Sequence, residues 1–187
     1  MALRLKTRFS TKGPKTLEQR ATVISSNLWR IAQHAARHME VEGLKLGGDR
    51  QVARVIVEFI AFQVQIADRI VYGQLAEDDR RTLINALGRQ LARNVQENLA
   101  EFIGPGEYAE SFVGTLNARF AEYADCAYTE KGPSYNFVRI LGEKVAEAMA
   151  ATETKWVLEH VMEIEAPEVV NATRKLVGEV LGVKTGG

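Results

Sequence analysis

The chain has 187 residues, of which 46% are hydrophobic and 26% are charged, and its 24 Lys and Arg balance its 24 Asp and Glu. This size and composition are typical of one globular domain, and a net charge of zero predicts no general attraction to nucleic acid or to anionic membranes. The sequence has neither an apolar run of roughly 18 residues nor an apolar signal segment, so we expect a cytoplasmic protein without a membrane partner. A single cysteine, Cys126, excludes an intrachain disulfide.

The first fifteen residues form a separate basic segment, with five cations and no acid. Apolar residues alternate with cations from Leu3 onwards and stop at Gly13-Pro14, a pattern that favours an extended arm. The composition also resembles an organelle-targeting segment, and contact with an acidic partner is a third reading. We therefore divide the chain into a basic N-terminal arm, 1–15, and a single helical-bundle domain, 16–187.

The first two predicted helices follow the arm. Thr16-Leu17-Glu18-Gln19 fits a capping box, and apolar residues then recur at spacings of three and four as far as Gly43. Asp49 is a suitable N-cap for a second helix, which we place at about 49–75. Apolar side chains cover roughly two-thirds of its circumference, so we predict that it lies at the centre of the bundle, surrounded by other helices.

The rest of the chain shows the same helical spacing between turn signals. A third helix begins at Glu77-Asp78-Asp79 and stops at Gly104-Pro105-Gly106, and a fourth ends before Gly132-Pro133. A fifth starts near Ser134, and the pattern leaves open whether it continues through Thr152-Glu153-Thr154. Pro167 is well placed to begin a last helix that Gly182 closes. The sequence therefore predicts an all-α bundle of five to six helices.

Two histidines, His34 and His38, lie four residues apart on the first helix. They project to the same flank, about 90° and about 50° from the centre of the apolar stripe, and histidines at this spacing can coordinate one metal ion. Further ligands must come from other helices, for example His160 or Glu58. The Glu-x-x-His spacing of carboxylate-bridged bundles precedes neither His38 nor His160. We therefore favour a helix flank without metal and predict no cofactor, with His34, His38 and His160 as the alternative metal site.

A narrow polar stripe on the second helix is another candidate site. Arg54 and Glu58 lie one turn apart and can pair, and so can Gln65 and Arg69. If the stripe lines a cleft, Glu58 is a buried carboxyl with a raised pKa, suited to acid–base chemistry. We favour the alternative, an exposed strip. Gln63, alone within the apolar arc, is predicted to be a hydrogen-bonded core residue.

A possible contact surface lies on the first helix, opposite its apolar stripe. Trp29 projects there among the small residues Ser25, Ala32 and Ala36. A large aromatic side chain on a flat surface of small residues favours packing against a second chain. The alternatives are that the N-terminal arm covers it, or that other helices of the same chain bury this face as well.

Motifs for nucleophilic catalysis, phosphate binding and zinc modules are missing from the sequence, and no helix concentrates Lys and Arg with base-reading side chains. We therefore expect a non-catalytic bundle that acts through self-association, with a dimer favoured, or through contact with another protein, and not with nucleic acid. The alternative function is binding of a metal ion or small ligand through His34 and His38 with His160 or Glu58. An enzyme assembled from distant residues stays open.

Overall fold

The computed structural model describes residues 15–185, so the predicted arm, except for Lys15, lies outside the described residues. Its helices are α1 (Leu17–Val41), α2 (Asp49–Val71), α3 (Glu77–Phe102), α4 (Tyr108–Tyr123), α5 (Tyr135–Met149), α6 (Thr154–His160) and α7 (Ala166–Leu181). A π-turn, Val161–Glu165, joins α6 to α7 without a break. Two short antiparallel strands, β1 (Tyr128–Thr129) and β2 (Gly132–Pro133), form a hairpin between α4 and α5. The all-α prediction is confirmed.

The second helix lies at the centre of the bundle, as its composition predicts. α2 packs against α1, α3, α4, α5 and α7. The consecutive residues from Phe59 to Phe62 project about 100° apart and therefore point to all sides of the helix, and none of them has any solvent exposure. The helix is apolar around most of its circumference because neighbours surround it. Among the described residues, no helix has both the length and the apolar character that crossing a bilayer demands.

The helix ends test the predicted caps. At the start of α1 the Thr16 hydroxyl accepts from the Gln19 amide at 3.2 Å, and the Gln19 side chain accepts from the Thr16 amide at 3.1 Å, which confirms the capping box. Asp49 is not the N-cap of α2, because Gly48 occupies that position and Asp49 is the first helical residue. The carboxylate there still faces the positive end of the helix dipole.

The C-terminal helices differ from the predicted boundaries. α5 ends at Met149, and Ala150 adopts a left-handed conformation with φ of 50°, so the helical pattern does not continue through the following threonines. No loop precedes Pro167, which instead lies in the first turn of α7 in a helix that has already begun at Thr154. The expected helix start is therefore a change of helix type within one continuous segment.

The first helix is buried on two sides, which corrects the predicted contact surface. α1 packs against α2 and α7 and also against α3. All four residues expected on an open face are buried, namely Ser25, Trp29, Ala32 and Ala36. Trp29 is only 1% exposed, and the Asn94 amide of α3 donates to the Ser25 hydroxyl at 3.5 Å. The expectation of an exposed aromatic surface is therefore wrong, because a second helix of the same chain covers it.

Candidate metal centre

Two histidines and a glutamate from separate parts of the sequence meet between α1 and the π-turn. Oε1 of Glu165 lies 2.7 Å from Nδ1 of His38 and 3.0 Å from Nε2 of His160. One donor atom from each of the three residues can be chosen so that all lie within 4.8 Å of one another. His38 is on the last turns of α1, His160 is the last residue of α6, and Glu165 ends the π-turn. We call these three residues the His–Glu cluster.

The π-turn is what aligns His160 with Glu165. In an α-helix, residues five apart project about 140° away from each other, since each residue rotates by about 100°. In the π-turn the Ala166 amide donates to the Val161 carbonyl, five residues back. This wider turn places residues five apart on the same side of the helix. The local backbone therefore converts a spacing that would separate the two side chains into one that joins them.

Pro167 gives a physical reason for a π-turn at this place. Proline has no amide hydrogen, so Pro167 cannot donate to the carbonyl of Glu163, and in a regular α-helix its ring would collide with that carbonyl. A wider turn directly before the proline moves the carbonyl aside while the chain stays helical. The sequence thus favours the bulge at the one position that brings Glu165 beneath His160.

Burial makes the glutamate dependent on its two partners. Glu165 is 1% exposed, His160 is 8% exposed, and the His38 side chain is 31% exposed at the edge of the cluster. A buried carboxylate without compensation is strongly unfavourable, and here the compensation comes from imidazole N–H groups. The hydrogen bond to Glu165 and the charge of Glu165 raise the pKa of His38, and the charges of Glu168 and Glu42 add to that effect.

The donor atoms of the His–Glu cluster are of the types that could hold a divalent metal ion. Imidazole nitrogen and carboxylate oxygen bind zinc at about 2.0–2.2 Å, so donor atoms around one ion lie roughly 3.4 Å apart. The observed distances of 2.7 and 3.0 Å would open only slightly to admit an ion in place of the two bridging protons. Two histidines and one carboxylate also leave at least one coordination position free for water or another ligand.

The structure brings together only two of the three histidines proposed from the sequence. His34 is exposed and stacks beside His38, with ring centroids 6.4 Å apart, but its donor atoms are not among those that converge. Glu58, the other suggested ligand, is not near the cluster, because it lies on the α4 side of α2 and pairs with Arg119. Glu165 is therefore the carboxylate that lies beside the histidines, where the sequence had suggested Glu58.

The polar stripe of α2 does not form the pairs that its spacing allows. Arg119 makes two hydrogen bonds to Glu58, each of 2.7 Å, so Arg54 is not its partner. Arg69 donates to the Tyr123 carbonyl at 2.9 Å instead of pairing with Gln65. Arg54 and Glu58 line a cleft between α2, α3, α4 and α5, which was one of the two alternatives for the stripe. Gln65 does not line it and is buried at 2% exposure.

Gln63 shows how an isolated polar residue is accommodated in the core. Its side chain is fully buried and lies 3.3 Å from the Thr173 hydroxyl of α7. In the amide orientation that satisfies both ends, it accepts from Thr173 and donates to the carbonyls of Leu28 and Phe59. The predicted role as a hydrogen-bonded core residue is confirmed.

Glu165 is the member of the His–Glu cluster that the sequence pattern did not identify. A search for carboxylates three or four residues from each histidine assumes α-helical rotation, and Glu165 follows His160 by five. The available signal was Pro167, which stands inside a continuous helical pattern two residues after Glu165. A proline in that position indicates a wider turn nearby, and the wider turn changes which residues share a face.

No family model, curated protein or solved structure matches this chain.

Proposed function

We propose that this protein binds a divalent transition-metal ion through His38, His160 and Glu165. The observation that supports the proposal is the convergence of two imidazoles on one buried carboxylate oxygen, at 2.7 and 3.0 Å. Buried carboxylates are most often compensated by Arg or Lys, but here both partners are side chains that also ligate metals when neutral. The partial exposure of His38 provides a route for an ion to enter.

The ligand set favours zinc and its neighbours in the first transition series. Two imidazoles and a carboxylate are borderline and hard donors, which suit Zn²⁺ or Fe²⁺ and do not suit the all-oxygen preference of Ca²⁺ or Mg²⁺. With three protein ligands, the fourth position of a tetrahedral ion would hold water, and zinc lowers the pKa of such water. The proposed function is therefore a mononuclear metal site that leaves a position open.

Calorimetric titration of chelator-treated protein with Zn²⁺ tests the proposal. We expect one ion per chain, and we expect Glu165→Gln and His38→Ala each to weaken binding by at least about 100-fold, because each removes a direct ligand. Mg²⁺ titrated under the same conditions is expected to give no saturable binding. Binding should also raise the melting temperature, as a ligand at 100 times its Kd adds about 2.7 kcal/mol.

His34→Ala is the matched control, because His34 is a neighbouring histidine that lies outside the His–Glu cluster. It should leave zinc affinity within about threefold, a change below 1 kcal/mol. The proposal fails if the protein does not bind Zn²⁺ stoichiometrically, or if His34→Ala weakens binding as much as Glu165→Gln does. Circular dichroism of each variant separates loss of a ligand from loss of the fold.

Self-association is a second candidate function, for which other exposed apolar side chains are available. The Trp29 face is closed, but α6 and the π-turn expose Trp156 at 46% and Ile164 at 40%, and the start of α5 exposes Tyr135 at 69%. Exposed large apolar side chains on neighbouring elements favour a protein contact. Native mass spectrometry tests this function, and if Trp156 carries the contact, Trp156→Ala should shift a dimer towards monomer.

A further inference from the structure

A second candidate site is the cleft that α2, α3, α4 and α5 line together. The cleft has a volume of about 640 Å³, which lies within the range that small-molecule sites occupy. Arg50 and Arg54 of α2 stand on one side of it, and apolar side chains of α3 and α4 form another part of the lining. It shares no residue with the His–Glu cluster.

Among the described residues, the acids around the cleft leave Arg50 and Arg54 without a carboxylate partner. Glu58 is paired with Arg119, and Glu147 is paired with Lys144 at 3.1 Å, so the acids of the cleft are already neutralised. Within residues 15–185, no carboxylate oxygen lies within 4.0 Å of the guanidinium of Arg50 or Arg54. Like charges one turn apart on a helix repel each other, and a bound anion would remove that repulsion.

The apolar part of the lining is built from well-packed side chains. Leu99 and Phe112 are buried residues whose edges reach the cleft, and Val57 and Ile103 are half-buried beside them. These residues come from α2, from α3 and its C-terminal end, and from α4, so each of these elements contributes apolar side chains to the lining. A ligand that only carried charge would leave this surface in water, whereas one with an apolar body would cover it.

One wall of the cleft is fixed in place by hydrogen bonds. The Tyr108 hydroxyl donates to the Gly104 carbonyl at 2.9 Å, and the Gln96 side chain donates to the Gly106 carbonyl at 2.9 Å and accepts from the Ala109 amide at 3.0 Å. Gly106 has no room for a Cβ, which would lie 2.8 Å from the Tyr108 ring. The loop between α3 and α4 is therefore preformed, which lowers the ordering penalty on binding.

We propose that the cleft binds a small organic anion with an apolar body, its acidic head on Arg50 and Arg54 and its tail against Val57, Leu99 and Phe112. Guanidinium groups bind carboxylates and phosphate monoesters in the same bidentate manner, so the shared chemistry is a single anionic head group. The site is independent of the metal centre, and neither proposal requires the other.

Calorimetric titration with octanoate tests this inference, with octyl phosphate as the second anion and octanol and octyltrimethylammonium as neutral and cationic analogues. We expect at least one of the two anions to bind one per chain, and octanol to bind at least about tenfold more weakly than that anion. The stronger of the two anions identifies the preferred head group. Arg50→Ala/Arg54→Ala should lower affinity for the anion at least about tenfold while leaving octanol unaffected.

Two further variants locate the binding. Ser111→Trp places a large side chain into the cleft from the exposed side of α4 and should abolish binding of the anion and of octanol. Arg89→Ala/Arg93→Ala removes two exposed arginines with the same four-residue spacing from another groove, on α3, and should change nothing. The inference is overturned if neither anion binds, if octanol binds as tightly, or if the α3 variant loses binding instead of the α2 variant.

Discussion

Glu165 and Glu58 are two carboxylates that the bundle buries in opposite ways. Glu165 lies between two imidazoles, at 2.7 and 3.0 Å, and is 1% exposed. Glu58 receives two hydrogen bonds of 2.7 Å from Arg119, and the side chains of that pair are each 12% exposed. Both carboxylates are therefore satisfied, but by partners of very different acidity.

The difference decides which carboxylate can exchange its partner for a ligand. Arginine stays protonated at every physiological pH, and the hydrogen bond that Arg119 donates to Glu58 raises the pKa of Arg119 further. Histidine loses its proton near neutral pH, so an ion that binds nitrogen can replace it. We therefore interpret the Glu58–Arg119 pair as a structural link between α2 and α4, and the His–Glu cluster as a site whose protons a metal can displace.

The largest expected effect comes from breaking the Glu58–Arg119 pair. Arg119→Met should leave Glu58 without its bidentate partner in a largely buried position, and we expect the free energy of unfolding to fall by about 3 kcal/mol. Urea denaturation measures this change. Arg139→Met is the matched control, because its pair with Glu143 is exposed on α5 and should contribute less than about 1 kcal/mol. Equal effects of the two variants would contradict the structural role of Glu58–Arg119.

A smaller effect is expected when the His–Glu cluster loses its carboxylate. Glu165→Ala in the presence of a chelator should lower the free energy of unfolding by about 2 kcal/mol, because it leaves the buried His160 ring without a partner. Glu42→Ala serves as the control, since Glu42 is half-exposed and lies 3.8 Å from His38. Its effect should stay below about 1 kcal/mol. If Glu165→Ala is neutral, the His–Glu cluster does not support the fold in the metal-free state.

The third prediction concerns pH and has opposite signs with and without metal. The hydrogen bond and charge of Glu165 raise the folded-state pKa of His38 above its usual 6.5. The resulting stabilisation is complete below about pH 6.5 and is lost as pH rises through the higher folded pKa. In chelator, the wild type should therefore lose stability in that window, and His38→Gln, which does not titrate, should show a flatter profile.

With saturating zinc the sign should reverse, because protons compete with the metal for the same nitrogen atoms. The stabilisation by zinc should grow as pH rises through the window in which the metal-free protein weakens. Urea denaturation of wild type and His38→Gln, at a series of pH values with zinc and with chelator, measures both slopes. Parallel profiles with and without zinc would contradict direct coordination by His38.

The fold followed from the sequence wherever a local rule controls the outcome. The capping box at Thr16 and the central position of α2 were both predicted correctly, since capping depends on four adjacent residues and the burial of α2 on its own composition. Trp29 was misplaced because the hydrophobic pattern of one helix defines a single preferred face. It does not show that α3 brings a second layer against the small residues on the other side.

The candidate site was only half predictable for a related reason. His38 was named as a possible ligand from its four-residue spacing with His34, and His160 and Glu58 were named as ligands that other helices could supply. Glu165 was not among the residues considered. Helix order in space decides which glutamate reaches the histidines, and the pattern of a single sequence does not provide that order. The π-turn adds a second difficulty, because it changes the rotation per residue within one short segment.

The smallest expected effect tests whether that turn depends on Pro167. Pro167→Ala restores an amide hydrogen that can donate to the Glu163 carbonyl, so the segment can revert to α-helical rotation and turn Glu165 away from His160. We expect the free energy of zinc binding to weaken by about 1 kcal/mol, roughly fivefold in Kd, with little loss of helical content. Pro133→Ala, in the β2 strand, is the control and should leave zinc affinity unchanged. If Pro167→Ala binds zinc as tightly as the wild type, the hydrogen bonds from His38 and His160 to Glu165 are sufficient to hold the π-turn, and the proline is a consequence of that turn, not its cause.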